Sequence, residues 1–272
     1  MYSEFHHWTI DDFSVISEIC EKKFRSVLKV KYKINDLIYV LKVIHVNKNE
    51  KLLKNEVNIH NKLKHQHILK CYGAFIEEQL PDKKYIYMIL EYMPEGNIFD
   101  YIEKYGQFQE YTIIEIAKQI YSAIEYCHKK GIIHRDIKPE NILVESVIDG
   151  IPLIKLADFG HAIKKETFNG YAGTIHYRAP EMLKKMCSNK NVDLWSLGVL
   201  LYKLATNELP FDYKSQSDDF LIHDTNDLDK LKLLPIEKVD YSLIKSNKIK
   251  NIIVNLLMPN PNDRIFIQEE VM

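Results

Sequence analysis

At 272 residues the chain has room for one large domain or two small lobes. Its 46% apolar and 28% charged content excludes a disordered or fibrous protein. Lys+Arg of 37 against Asp+Glu of 38 leaves a net charge of -1, which argues against a protein that grips nucleic acid or an anionic membrane.

The first ninety residues read as strand-rich. Residues 26–32 alternate apolar and polar, and 38–44 form an apolar run that holds one lysine. A helical pattern covers 50–64, and strand-like runs follow at 68–76 and 85–91, separated by the polar EEQLPDKK. A hinge is expected near Glu91–Gly96, where Pro and Gly interrupt the pattern. Thr112 and Glu115 suggest a capping box for a long helix whose apolar face is Ile113, Ile116, Ala117, Ile120, Ile124 and Cys127. Short apolar segments at 142–144 and 153–156 flank a hairpin-like ESVIDGIP. Helical spacing returns at 192–205 and 246–257.

Cys20, Cys71, Cys127 and Cys187 lie far apart and make no C-x-x-C pair, so neither a zinc site nor a disulfide scaffold is indicated. A reducing, intracellular setting is expected. No stretch approaches ~20 uncharged apolar residues, and the N-terminus lacks the apolar core of a secretory signal. Glycine occurs nine times and first at Gly73, so any glycine-dependent feature earlier in the chain must be missing or built otherwise.

The motifs that carry chemistry are His134-Arg135-Asp136-Ile137-Lys138-Pro139-Glu140-Asn141, then Asp158-Phe159-Gly160, then Ala179-Pro180-Glu181. Isolated Asp or Asn residues in loops are usually turns or caps. Three such motifs in this order make that reading a poor competitor. The chain resembles a eukaryotic-type serine/threonine protein kinase, a divergent one, nearest the Aurora-like and calmodulin-dependent-kinase-like groups. The resemblance covers essentially the whole chain.

That resemblance implies an α+β, bilobal protein-kinase fold: one catalytic domain over 1–272, with a β-rich N-lobe at 1–92 and a larger helical C-lobe at 93–272. It implies ATP and Mg²⁺ as cofactors and serine or threonine hydroxyls of proteins as acceptors. Asp136 is then the base and Lys138 the residue reaching the transferring phosphate. Asn141 and Asp158 hold the metal, and Lys42 pairs with Glu56 fourteen residues on. Leu90 guards the back of the adenine pocket, Glu91 to Met93 offer it backbone groups, and Val27, Val40 and Leu143 enclose the ring. Asp193 anchors the catalytic loop and Arg264 pairs with Glu181. An activating protein partner and a monomeric state are expected. The chain stops in FIQEEVM, short of a full final helix by the family's standard, so a trimmed piece of a longer protein is expected.

Four departures qualify the picture. The family's G-x-G-x-x-G-x-V loop falls on Cys20 to Val27, where Cys20, Lys22 and Arg25 replace its glycines while Phe24 and Val27 keep the register. Lys22 and Arg25 return charge but not close backbone approach, which implies weaker ATP affinity. In the activation segment Gly170 stands where Aurora-like kinases carry their phosphate acceptor. Thr167 and Tyr171 are the nearest alternatives, and regulation without phosphate is weighed equally with phosphorylation at Thr167. His60, one turn past Glu56, stands where the family packs an apolar residue; it is either a satisfied core histidine or a sign of a helix that waits for a partner. Around the substrate, Lys203 and Asn97 occupy places where basic-directed kinases carry acids. The acidic run at 212–229 is either a docking segment or a solvated loop. A pseudokinase scaffold is the alternative to an active enzyme. A kinase of small molecules would be expected to lack Ala179-Pro180-Glu181.

Overall fold

The computed structural model describes residues 8–22, 25–46, 50–80, 83–211 and 239–266. The tip of the expected glycine loop at Phe24, the acidic run at 212–229 and the last residues of the chain lie outside the described residues. The chain divides into two compact units, Met1–Pro94 and Glu95–Met272. The first is β-rich and the second mainly helical, the α+β bilobal kinase class.

The first unit is an antiparallel sheet of β1 (Phe13–Lys22), β2 (Arg25–Tyr32), β3 (Ile38–His45), β4 (Cys71–Leu80) and β5 (Lys83–Glu91), in the order β1-β2-β3-β5-β4. Helix α1 (Glu50–His60) lies between β3 and β4 in sequence. Phe13, Val30, Leu41, Val43, Tyr87 and Ile89 form the core of one sheet face. Two stacked ring pairs, Phe13–Phe75 at 6.2 Å and Phe75–Tyr87 at 4.8 Å, tie β1, β4 and β5 together through that core. Sheet faces packed by aromatic cross-strand neighbours gain more than their buried area alone.

Two details differ from the sequence reading. The polar EEQL belongs to β4 rather than to a connection, because the β4–β5 ladder continues to Leu80↔Lys83. The expected helix at 50–64 stops at His60, where Leu63 N–H turns back to the His60 carbonyl at 3.0 Å.

In the second unit α2 (Ile98–Tyr105) and α3 (Glu110–Lys129) come first. All six residues expected on the apolar face of α3 are buried. The capping box is not made: α3 begins at Glu110, Thr112 is a buried helical residue, and Glu115 pairs with Lys118 at 2.7 Å instead. Glu110 already places a negative charge in the first turn, where the helix dipole favours it. Strands β6 (Ile132–Ile133), β7 (Ile142–Ile148), β8 (Ile151–Leu156), β9 (Ile163–Lys164) and β10 (Thr167–Phe168) follow, with α4 (Pro180–Leu183), β11 (Ser188–Asn189), α5 (Val192–Thr206) and α6 (Asn247–Leu256).

The β7–β8 hairpin takes in most of the segment expected as its link and turns at Asp149-Gly150, both at positive φ. Gln119 of α3 grips it, donating to the Pro152 carbonyl and accepting from Ile154 N–H, each at 2.9 Å. Helix α5 is buried on nearly every side, as a central helix must be. Gly198 lets α6 approach it: a Cβ there would come within 2.9 Å of Leu256 and Leu257. Among the described residues no helix is long and apolar enough to cross a membrane.

Candidate active site

In the first unit, Lys42 on β3 and Glu56 on α1 form a buried ion pair, Nζ to Oε1 at 2.5 Å. Removing two charges from water costs several kcal/mol per ion unless geometry and further bonds repay it, so burial alone does not make this pair a source of stability. Burial pushes the neighbouring Cys71 thiol up to about 11, and it stays protonated at neutral pH. His60, at the end of the same helix, is buried, and its Nε2 lies 2.7 Å from the Leu69 carbonyl. The histidine is therefore satisfied, and it ties the end of α1 to the segment that leads into β4.

Across the sheet, Val27 pairs with Lys42 and Val40 with Leu90. Val40, Leu90 and Met93 are buried. The Glu91 N–H is taken by the Lys70 carbonyl at 3.0 Å, while the Met93 N–H has no hydrogen-bond acceptor among the described residues. The β1–β2 ladder runs through Cys20↔Val27, Glu21↔Ser26 and Lys22↔Arg25, so the strands stay paired to within two residues of the tip.

In the second unit, Lys138, Asn141 and Thr174 converge on Asp136. Its Oδ1 accepts from the Thr174 N–H at 2.9 Å and from the Thr174 hydroxyl at 3.0 Å. Its Oδ2 accepts from Asn141 Nδ2 at 3.0 Å and lies 3.2 Å from Lys138 Nζ. Lys138 also donates to the Thr174 hydroxyl at 2.6 Å. Burial acts to raise the Asp136 pKa, but Lys138, His161, the Thr174 N–H and His134 together outweigh it and hold the group below its ordinary value. Asp136 is thus a buried, ionised, fully oriented carboxylate.

Asp193 at the start of α5 holds the loop that presents Asp136. It accepts from the His134 N–H at 3.0 Å and the Arg135 N–H at 2.8 Å, with His128 Nε2 at 2.7 Å. Arg135 can meet this carboxylate because its backbone takes the left-handed region, φ 67. Gly173 makes the second close approach. With φ 76 it brings the activation segment onto the loop, where a Cβ would collide with the Arg135 carbonyl oxygen. The Gly173 carbonyl is gripped by Arg178, from Nε at 2.9 Å and Nη2 at 2.5 Å.

Asn141 gives Nδ2 to the Asp136 carbonyl at 2.8 Å as well as to its carboxylate, which leaves Oδ1 to offer. Ala157 N–H donates to the Asn141 carbonyl at 2.8 Å, placing Asp158 directly beyond the hairpin that carries Asn141. Asp158 has φ 57 and accepts from the Gly160 N–H at 3.2 Å, while Phe159 is fully buried with its ring edge-on to His134 at 4.8 Å. An amide oxygen and a carboxylate are the hard donors that suit Mg²⁺, which usually takes one or two protein carboxylates and completes its shell with phosphates and water. Leu143 sits on β7, bridged to Asn97.

Downstream, Arg264 makes the expected bidentate pair with Glu181, at 2.6 and 2.8 Å. The side chain of Asn97 caps α2, accepting from Phe99 and Asp100 N–H, and Lys203 donates to the Asn207 carbonyl at 2.6 Å. The sequence reading missed His128, Gln119 and the grip of Arg178. The signal for His128 was a polar residue at the end of an apolar helix face, one loop ahead of His134.

This is the constellation of a phosphoryl-transfer fold, and the chain belongs to the protein kinase domain family, which matches residues 13–272. Among characterised relatives, it is 32% identical to an Aurora kinase of Dictyostelium discoideum over 97% of this chain and 65% of that protein. It is 33% identical to Aurora kinase B of Mus musculus, over 96% of this chain and 72% of the relative. With Aurora kinase A-A of Xenopus laevis it shares 32% identity, over 95% of this chain but 60% of that protein. The chain thus spans about two-thirds of the length of these relatives.

Proposed function

We propose that the chain is an active serine/threonine protein kinase that transfers the γ-phosphate of ATP to protein hydroxyls. The observation that carries this reading is the Asp136 carboxylate, ionised and held by Thr174, Lys138 and Asn141 in one orientation. Phosphoryl transfer is mostly positioning and charge compensation, so a fixed carboxylate to receive the hydroxyl proton and a lysine beside it are what the reaction asks for. Lys138 faces the transferring phosphate, and Lys42, steadied by Glu56, takes the nucleotide's other phosphates. The Met93 N–H and the Glu91 carbonyl are the backbone groups for adenine, with Leu90, Val27, Val40 and Leu143 as its apolar surroundings. Mg²⁺, held by Asp158 and Asn141, supplies positive charge against the phosphate oxygens.

The hairpin at Cys20–Val27 favours reduced nucleotide affinity. Three side chains stand where glycines would let backbone amides reach the phosphates, and Val40 adds bulk above the adenine. This same feature is what favours a pseudokinase scaffold as the second reading. A scaffold, however, needs neither an ionised base nor a buried Lys42–Glu56 pair.

The experiment is phosphate-label transfer from ATP to a generic protein substrate, comparing wild type with Asp158→Ala. Transfer by wild type that is lost in the variant supports the enzyme. Equal signal from both leaves only the scaffold.

A further inference from the structure

We propose, on the kinase reading above, that the chain selects acceptors whose serine or threonine is followed directly by proline, and that Arg178 enforces this choice by occupying the Gly173 carbonyl. Gly173 sits against the base: a Cβ on it would stand 2.9 Å from Asp136 Oδ1. The next residue, Thr174, gives that same oxygen its N–H at 2.9 Å and its hydroxyl at 3.0 Å. A hydroxyl brought to Asp136 therefore arrives beside this dipeptide. The peptide groups flanking the acceptor residue lie within one residue's span of it, about 3.3–3.6 Å. As the substrate settles and water leaves, their N–H groups need carbonyl partners.

The dipeptide has none to offer. Arg178 reaches the Gly173 carbonyl with Nε at 2.9 Å and Nη2 at 2.5 Å. A carbonyl oxygen has two lone pairs, and the guanidinium fork takes both. The Tyr171 ring, 5.5 Å from the guanidinium, adds a cation–π contact that favours this placement. The Thr174 carbonyl accepts the Tyr177 N–H at 3.0 Å.

A substrate N–H pressed against this edge is left unmet, and an unmet buried donor costs the full loss of its hydration. Proline is the residue without a backbone N–H. The acceptor must be serine or threonine and keeps its own N–H. The donor next nearest the hydroxyl belongs to the residue that follows, so proline there removes the penalty. Proline ahead of the acceptor removes a donor further along the chain. Discrimination arises because the competitor is penalised, with no added contact to proline required.

The test uses peptides that share one serine and differ in the residue after it: proline, alanine, or N-methylalanine, which lacks the N–H but has no ring. A fourth peptide carries the proline ahead of the serine. Phosphate transfer from Mg-ATP and peptide binding are measured with the full chain on one preparation. The kcat/KM with proline after the serine is expected to exceed that with alanine about 10- to 100-fold. N-methylalanine is expected to follow proline, and proline ahead of the serine to do no better than alanine. In Arg178→Ala the proline-to-alanine ratio is expected to fall to about one. Arg178→Lys is expected to give an intermediate ratio, because an ammonium lacks the planar fork. Each ratio compares peptides on one protein, so a general loss of activity in a variant leaves it readable. Equal rates with proline and alanine in wild type overturn the proposal, as does N-methylalanine that behaves as alanine or a ratio untouched in Arg178→Ala. A proline preference in binding, with no transfer to any peptide, upholds the site and counts against the kinase reading alone.

Discussion

At Asp136 burial and partners pull in opposite directions, and the partners win because each oxygen has its own donors: Thr174 on one, Asn141 and Lys138 on the other. Gly173 makes the first of these arrangements possible. In Gly173→Ala the methyl meets the Arg135 carbonyl and the residue must keep φ 76, a strain of about 1–3 kcal/mol. Label transfer is expected to fall about 10- to 100-fold, while far-ultraviolet circular dichroism stays that of wild type.

Asp193 gives a prediction in pH. Burial acts to raise its pKa, yet the hydrogen bond and charge of His128, with His134 and the Arg135 N–H, hold it below the ordinary value. A lowered folded pKa means that this stabilisation is fully present above the unfolded value, ~3.9. It is lost as pH falls through the lower folded one. Urea unfolding from about pH 5 downward is expected to show that acid limb in wild type and a shallower one in Asp193→Asn.

At the scale of elements, the β1–β2 hairpin carries the proposal of weakened nucleotide affinity. Its ladder continues to Lys22↔Arg25 with no glycine among the paired residues. Restoring glycine at positions 20, 22 and 25 together is expected to lower the KM for ATP about tenfold, equivalent to about 1.4 kcal/mol. Turnover is expected to change little, and unchanged KM would show that the missing glycines are not what limits affinity.

The same hairpin shows what the sequence concealed. β1 carries Val15, Ile16 and Ile19 on solvent, and bulges between Val15 and Ser17 and between Glu18 and Cys20 shift its phase. No period-two pattern survives two such shifts, so the strand was not legible. β2 was legible by its alternation, β3 by an apolar run that is buried from Val40 to Ile44, and α3 by one buried face along its length. Thr112 misled for a related reason: it has the chemistry of a cap but lies on the buried side of α3. The motif residues were readable by spacing. The grip of Arg178 on Gly173 was not, since nothing local in sequence tells which carbonyl a guanidinium will find.

At the scale of the whole molecule, each unit carries part of the proposed chemistry, Lys42 with Glu56 in the first and Asp136, Lys138, Asn141 and Asp158 in the second. The second unit is fastened by Arg264. Beyond its two bonds to Glu181 it donates to the Met258, Asn191 and Pro259 carbonyls and stacks over Trp195 at 5.0 Å. Arg264→Ala leaves Glu181 buried and unpaired and is expected to cost about 3–5 kcal/mol, read from urea unfolding. Arg264→Lys is expected to recover only part of this, because an ammonium cannot reproduce the fork.

The most direct measurement is Mg-ATP binding and single-turnover phosphate transfer on one preparation, for wild type and Asp136→Asn. The account predicts similar binding in both proteins and transfer slower by about 10²- to 10⁴-fold in the variant. Transfer at the wild-type rate in Asp136→Asn, or nucleotide binding with no transfer by wild type, would contradict it.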